Sequence, residues 1–267
     1  MSHNLYICSV PIGHYDDITF RVHQILSRVK TILCEDTRVT KLLLKRLQIL
    51  HSQSLVRMDQ YQEKRSYSAF DTAIQHGDVA YVSDAGTPGL CDPGAGLVQH
   101  ARKHNISIAV LPGVSSVSAF ISGCGLLFSE YHFGGFLPKK YSDLDQVLSS
   151  IVEQQTVGIW FESPKRILRL SDHLKVEYPD VPVVFAKELT KEHEVFFSGS
   201  ANDVNEQLHL ADVRGEWVVL IDARGITTDH SKYRKKLAVT MKNAGLSAKQ
   251  VKLLAPLFDC PKNELYD

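Results

Sequence analysis

The stretch Tyr81-Val-Ser-Asp-Ala-Gly-Thr-Pro-Gly-Leu-Cys-Asp-Pro-Gly94 packs three glycines and two prolines between Asp84 and Gly94. It follows the apolar run DVAYVS and precedes the helix-like segment GLVQHARKHN. A plain strand-to-helix connection needs only about 2–6 residues. This one is longer, stiffened by Pro88 and Pro93 and opened by its glycines. A loop of that kind at a strand end suits close approach of backbone to a ligand.

The same alternation runs through the N-terminal half. LYICSV, TILCE, DVAYVS and ISIAVL read as strands. ITFRVHQILSRV reads as a helix, with Ile18, Val22, Ile25, Leu26 and Val29 at helical spacing. RVTKLLLKRL, YSAFDTAIQHG and GLVQHARKHN read as further helices. Strands alternating with helices predict an α/β fold around a parallel sheet covered on both faces. After a break near Cys124 to Tyr131 the mixture resumes. YHFGGFL, TVGIWF, PVVFAKEL, HEVFFSG and EWVVLID are strand candidates; DLDQVLSSIVEQ and PKRILRLSDHLKV are helices. The expected organisation is two α/β domains, 1–118 and 119–228, followed by a basic helical extension, 229–267. Within that extension Ser247 is a plausible N-cap.

Composition narrows the class. The 267 residues are 44% hydrophobic and 22% charged, with zero formal net charge. No run approaches the roughly 18 apolar residues that suggest a membrane helix, and MSHNLYICSV does not read as a signal peptide. The five cysteines lack CxxC spacing and the twelve histidines form no HExxH, so no metal site and no disulfide framework is expected. Reduced thiols fit a cytoplasmic location. From Ser231 to Phe258 there are seven Lys or Arg and no Asp or Glu, which points to a polyanionic partner.

Three strand ends carry unusual loops: Pro11-Ile-Gly-His14 after LYICSV, Asp84-Ala-Gly-Thr-Pro88 after AYVS, and Pro112-Gly-Val-Ser-Ser116 after IAVL. In a parallel sheet all three emerge at one end, where backbone N–H groups at helix starts favour an anionic group. No GxxxxGK[ST] and no GxGxxG after the first strand is present, which argues against a P-loop NTPase and the usual dinucleotide fold. These features define a small-molecule site and do not name the molecule.

The motifs VPIGHYDDIT (10–19), CEDTRVTKLL (34–43), SDAGTPGLCDPG (83–94), LPGVSS (111–116), GGFLPKK (134–140), FESPKR (161–166), AKELTKEHE (186–194) and GEWVVLI (215–221) run in this order. Together they resemble the bacterial ribose 2′-O-methyltransferases of small-subunit ribosomal RNA, within the tetrapyrrole-methylase superfamily. The tail SAKQVKLLAPLFDCPKNELY is similar to the helical extension of those enzymes. Departures from the family pattern are His14, Val114, Gly134 in FGGFLP, and Lys165 in ESPKR.

The resemblance implies two α/β domains of the tetrapyrrole-methylase type with S-adenosyl-L-methionine in the cleft between them. Pro11, Gly13, Asp84, Gly86, Thr87, Pro88, Ser115 and Ser116 would bind it from the first domain. Phe161, Leu189 and Glu216 would do so from the second. The implied reaction is methylation of the ribose 2′-oxygen of a cytidine in the decoding region of 16S rRNA. The implied partners are the small ribosomal subunit and a second copy in a homodimer, with no membrane.

Candidates for the chemistry lie in Glu35-Asp36-Thr37-Arg38 and in Lys187-Glu188, where an acid adjoins a cation at a strand end. Asp36, Arg38 and Glu188 are the expected catalytic residues, with a structural ion pair as the alternative. Arg38, Lys41 and Lys45 share one helical face, with Val39, Leu43 and Leu47 expected on the other. Together with Lys139, Lys140, Lys165, Arg166, Lys235 and Lys236 they read as an RNA-tracking surface. Two other readings compete: a superfamily methylase acting on a tetrapyrrole or a protein, and an RNA-binding protein without catalysis.

Overall fold

The computed structural model describes residues 3–49, 52–58, 63–92, 94–226, 245–247 and 249–250. Lys235, Lys236 and most of the basic tail lie outside the described residues. In the tail, the Gln250 side chain accepts from the Ser247 N–H at 2.9 Å, as expected beside an N-capping serine.

The first half forms β1 (Asn4–Cys8), α1 (Phe20–Arg28), β2 (Thr31–Cys34), α2 (Thr37–Arg46), β3 (Ser54–Arg57), α3 (Glu63–His76), β4 (Val79–Val82), α4 (Ala95–Lys103) and β5 (Ser107–Leu111). The sheet order is β3-β2-β4-β1-β5, and every pairing is parallel. Successive strand residues point to opposite faces. Leu5, Ile7, Leu33, Val79 and Tyr81 therefore enter one core with Phe70 and Leu97. Cys8, Ile32, Cys34, Ala80 and Val82 enter the other with Val22, Leu26 and Leu43.

The second half forms α5 (Ser116–Gly123), β6 (His132–Phe136), α6 (Tyr141–Glu153), β7 (Val157–Glu162), α7 (Ile167–Glu177), β8 (Pro182–Lys187), β9 (Val195–Ser200), α8 (Ala201–Leu210) and β10 (Trp217–Asp222). Its sheet order is β6-β7-β10-β8-β9; β6 is parallel to β7 and the other pairings are antiparallel. One face packs Trp160, Phe185 and Trp217 against α6, α7 and α8. The other face packs Ile159, Val184, Ala186, Val218 and Leu220 against Ile12 and Phe120. Ile12 follows β1, so this second core joins the two halves. Burying Phe120 there contributes about 2–3 kcal/mol. α5 runs across residues 118 and 119, where the sequence reading divides the chain.

Two expectations change. α1 begins at Phe20, not at Ile18, because the Thr19 side chain accepts from Val22 N–H at 3.3 Å and caps the helix there. Val39 is not on the buried side of α2: it is 40% exposed, and the inward stripe is Thr40, Leu43 and Leu44. β3, α5 and α8 add elements absent from the sequence reading.

Candidate active site

β4, β1 and β5 are neighbours, so the three glycine–proline loops leave the sheet side by side. They interlock by backbone and hydroxyl contacts. Val10 N–H donates to Gly86 O at 2.9 Å, and Gly86 N–H donates to Val10 O at 3.1 Å. Ser9 Oγ donates to Leu111 O at 3.1 Å and lies 2.9 Å from Thr87 Oγ1. Thr87 Oγ1 in turn donates to Val114 O at 2.9 Å. Close approach explains the glycines. A β-carbon on Gly113 would fall 2.8 Å from Ser9 Cβ. Gly86 has φ +71°, and a β-carbon there would sit 3.2 Å from Ile12 Cγ2.

The interlocked loops form one wall of a cavity of about 380 Å³. Ile12, Ala85, Gly86, Thr87, Leu90, Cys91, Asp92 and Ser115 line it from the first half, and Ser116 at the start of α5 continues that wall. Phe136, Phe161 to Pro164, Leu189 and Gly215 to Val218 line it from the second. The wall includes the start of α5, where Ser115 makes no side-chain cap hydrogen bond, so the donors of that first turn favour an anionic group.

Seven of the expected cofactor-binding residues meet here: Gly86, Thr87, Ser115, Ser116, Phe161, Leu189 and Glu216. Pro11, Gly13, Asp84 and Pro88 stand outside the lining. Gly13 packs against the 189–191 segment, and the His14 N–H donates to Thr190 Oγ1 at 3.2 Å. The Asp84 carboxylate accepts from Asp36 N–H at 3.0 Å and so ties the β4 loop to the end of β2. The sequence reading passed over Asp92 and Phe136, although both lie inside motifs it singled out.

Acids gather in and behind this wall, Asp92 in the lining and Glu35 and Asp84 outside it. Burial pushes the Glu35 and Asp84 carboxyls up from their ordinary values. Asp92 is pushed up to about 6, first by burial and then by the charges of Glu35 and Asp84. A negative recess of this kind complements a cationic ligand.

None of the three expected catalytic residues lines the cavity. Asp36 caps α2, accepting from Arg38 N–H at 2.8 Å, and pairs with the Arg38 guanidinium at 2.6 Å. Those bonds hold its carboxyl well below the usual carboxylate range. Glu188 accepts from Glu216 N–H at 2.9 Å and from Lys191 Nζ at 3.0 Å. Burial raises its pKa, but the hydrogen bonds from Glu216 and Lys191 outweigh it and the net shift is downward. Glu188 and Thr190 take the left-handed conformation at φ 54° and 62°, a local strain held by this network.

Arg38, Lys41 and Lys45 are exposed on α2, and Lys139, Lys140 and Lys165 are exposed in the second half. Leu42 and Val39 share the exposed face of α2, and the Arg46 guanidinium lies 5.8 Å from the Tyr15 ring centre. Arg166 turns inward: it pairs with the buried Glu162 at 2.6 Å and donates to Leu137 O at 3.0 Å. Among the described residues, no cluster of His, Cys, Asp or Glu is placed to hold a metal ion. No described helix is long and apolar enough to cross a membrane.

Two α/β halves thus share one cavity walled by interlocked glycine loops. The chain belongs to the Tetrapyrrole (Corrin/Porphyrin) Methylases, matching that family over residues 4–205. More particularly, it is 37% identical over 221 residues to a protein of Hydrogenobaculum named ribosomal RNA small subunit methyltransferase I, covering 81% of this chain and 94% of that protein. A protein of the same name from Micromonospora olivasterospora is 31% identical over 272 residues, covering 100% of this chain and 86% of the relative. The crystal structure of uroporphyrin-III C-methyl transferase from Thermus thermophilus complexed with S-adenyl homocysteine has the same fold, with a TM-score of 0.56 and 17% identity over 83% of this chain and 98% of that one.

Proposed function

We propose that this protein is an S-adenosylmethionine-dependent methyltransferase of small-subunit ribosomal RNA, acting on the ribose 2′-oxygen of a cytidine in the decoding region. The observation that supports the reading is that relatives named for this RNA share 31% and 37% identity over 100% and 81% of this chain.

The cavity fits the cofactor. Gly86, held at φ +71°, brings bare backbone to the cavity lining, and Gly113 packs tightly on Ser9 beside it. Thr87, Ser115, Ser116 and Glu216 supply polar contacts, Phe161 and Leu189 apolar ones, and the acidic recess offsets positive charge. When bound, S-adenosylmethionine supplies a methyl group on a cationic sulfur, ready for direct displacement. The cavity walls of this chain would align the acceptor hydroxyl, whose proton leaves as the methyl–oxygen bond forms and the methyl–sulfur bond breaks. Alignment contributes up to about 7–11 kcal/mol, and a general base adds about 10²–10⁴-fold. Asp36, Arg38 and Glu188 act in this scheme by positioning. Asp36 holds Arg38 on the RNA face, and Glu188 holds the Glu216 backbone at the cavity rim.

Residues 1–118 and 119–228 serve as the N-terminal and C-terminal methylase domains that flank the cofactor, and 229–267 as a basic RNA-binding extension. Lys235 and Lys236, outside the described residues, share by their charge the RNA-binding role given to the exposed Arg38, Lys41, Lys45, Lys139, Lys140 and Lys165. Arg166 supports that face from below through Leu137. The protein works in the cytoplasm as a homodimer on the small ribosomal subunit. Nucleoside mass spectrometry of rRNA from cells lacking the gene tests the reading. One 2′-O-methylcytidine should disappear and return on complementation; an unchanged nucleoside profile overturns it.

A further inference from the structure

Phe136 ends β6 at the cavity rim, lining the cavity while its ring remains 60% exposed. A phenyl ring is ordinarily buried. Local backbone geometry sets it there. The pairing of β6 with β7 slips between Phe133 and Phe136, an irregularity that re-aims side chains beside active sites. Gly134 and Gly135 absorb the slip. A β-carbon on Gly134 would run into the Trp160 ring, and Gly135 has φ +66°. The Phe161 ring packs edge-on to Phe133 at 5.1 Å and to Phe136 at 5.6 Å and braces both.

The opposite rim carries a second exposed apolar group. Leu90 is 50% exposed and lines the same cavity. A β-carbon on Gly135 would lie 3.2 Å from Cys91 Sγ, so the 90–91 and 135–136 rims meet across the mouth. Lys139 and Lys140 follow Phe136 on the exposed surface. Their charge attracts phosphate and repels a cationic cofactor.

We infer that Phe136 and Leu90 clamp one unstacked nucleobase of the RNA substrate, while Lys139 and Lys140 hold the adjoining phosphates. The inference rests on the reading of the protein as an RNA methyltransferase. RNA bases taken out of their stack are held on aromatic side chains, and such stacking is indifferent to base identity. Phe136 therefore positions the nucleotide without choosing it.

The test compares wild type, Phe136→Leu, Phe136→Trp and Leu90→Ala by methylation kinetics on small ribosomal subunits lacking the modification, with cofactor affinity measured by calorimetry. Phe136→Leu is expected to raise the KM for subunits about tenfold or more, to leave cofactor affinity unchanged, and to be rescued by Phe136→Trp. Wild-type efficiency in Phe136→Leu overturns the clamp. So does a loss of cofactor affinity in step with activity, which would put the ring in the cofactor's own subsite. If Phe136→Leu does not fold, Leu90→Ala decides by the same two measurements. A wild-type protein that transfers no methyl group to subunits sinks the functional reading and the clamp together; a working wild type matched by Phe136→Leu sinks the clamp alone.

Discussion

Gly13 stands so close to Lys191 that a β-carbon on it would fall 2.6 Å from the lysine Cγ, and equally close to Thr190 Oγ1. The loop after β1 thus touches the segment after β8, and Leu189 within that segment lines the cavity. Gly13→Ala is expected to force the two halves apart locally, lowering stability by about 1–3 kcal/mol and weakening cofactor binding. Urea unfolding and calorimetry check both effects.

Asp92 gives the cavity a pH dependence. Its carboxyl is pushed up to about 6 by burial and by the charges of Glu35 and Asp84. The folded state therefore holds a proton that the unfolded chain releases, and stability falls as pH rises through the window up to about 6. Above that window Asp92→Asn is expected to stabilise the protein by roughly 1 kcal/mol, after discounting for partial exposure. The gain should vanish at acid pH in thermal unfolding. A cationic cofactor favours ionised Asp92, so its dissociation constant should rise as pH drops below about 6 in wild type and stay flat in Asp92→Asn.

Much of the fold was legible because its signals are local. Leu5, Ile7, Val79 and Tyr81 alternate with Tyr6, Cys8, Ala80 and Val82, and the sheet faces follow that alternation. The three loops converge because β4, β1 and β5 are adjacent. Elements shaped by distant partners were not legible. α5 is short and rich in Ser, Val and Ile, weak helix formers, and its end is shaped by a distant ring, since a β-carbon on Gly123 would meet Phe196 at 2.6 Å. α8 is rich in Asn and Asp, weak helix formers, and is started by the capping box of Ser200 and Asp203. Arg166 looked like a surface cation, yet Glu162 lies buried four residues earlier and draws it inward. Asp92 stands in the glycine–proline loop, but its raised pKa depends on burial in the folded protein and then on Glu35, which comes from another strand end.

Glu188 separates positioning from proton transfer. Its carboxylate holds Glu216 N–H and Lys191 Nζ. Glu188→Gln is expected to lower stability by about 1 kcal/mol, with kcat reduced less than tenfold. A fall of about 10²–10⁴ in kcat at unchanged KM would instead make it the general base.

The α2 surface should act on RNA alone. Lys41→Ala combined with Lys45→Ala removes two exposed charges outside the buried stripe of Thr40, Leu43 and Leu44. Subunit binding is expected to weaken and its slope against log salt to fall by about 1.5. Cofactor affinity and melting temperature should not move.

The central claim, methyl transfer to ribosomal RNA from the cleft between the two halves, is tested most directly by one reaction. Purified protein is given methyl-labelled S-adenosylmethionine and small ribosomal subunits from cells lacking the gene, and the label is mapped by nuclease digestion. Label on the ribose 2′-oxygen of a single cytidine is the expected result. Cofactor bound in the cleft with no label in the RNA would contradict the account.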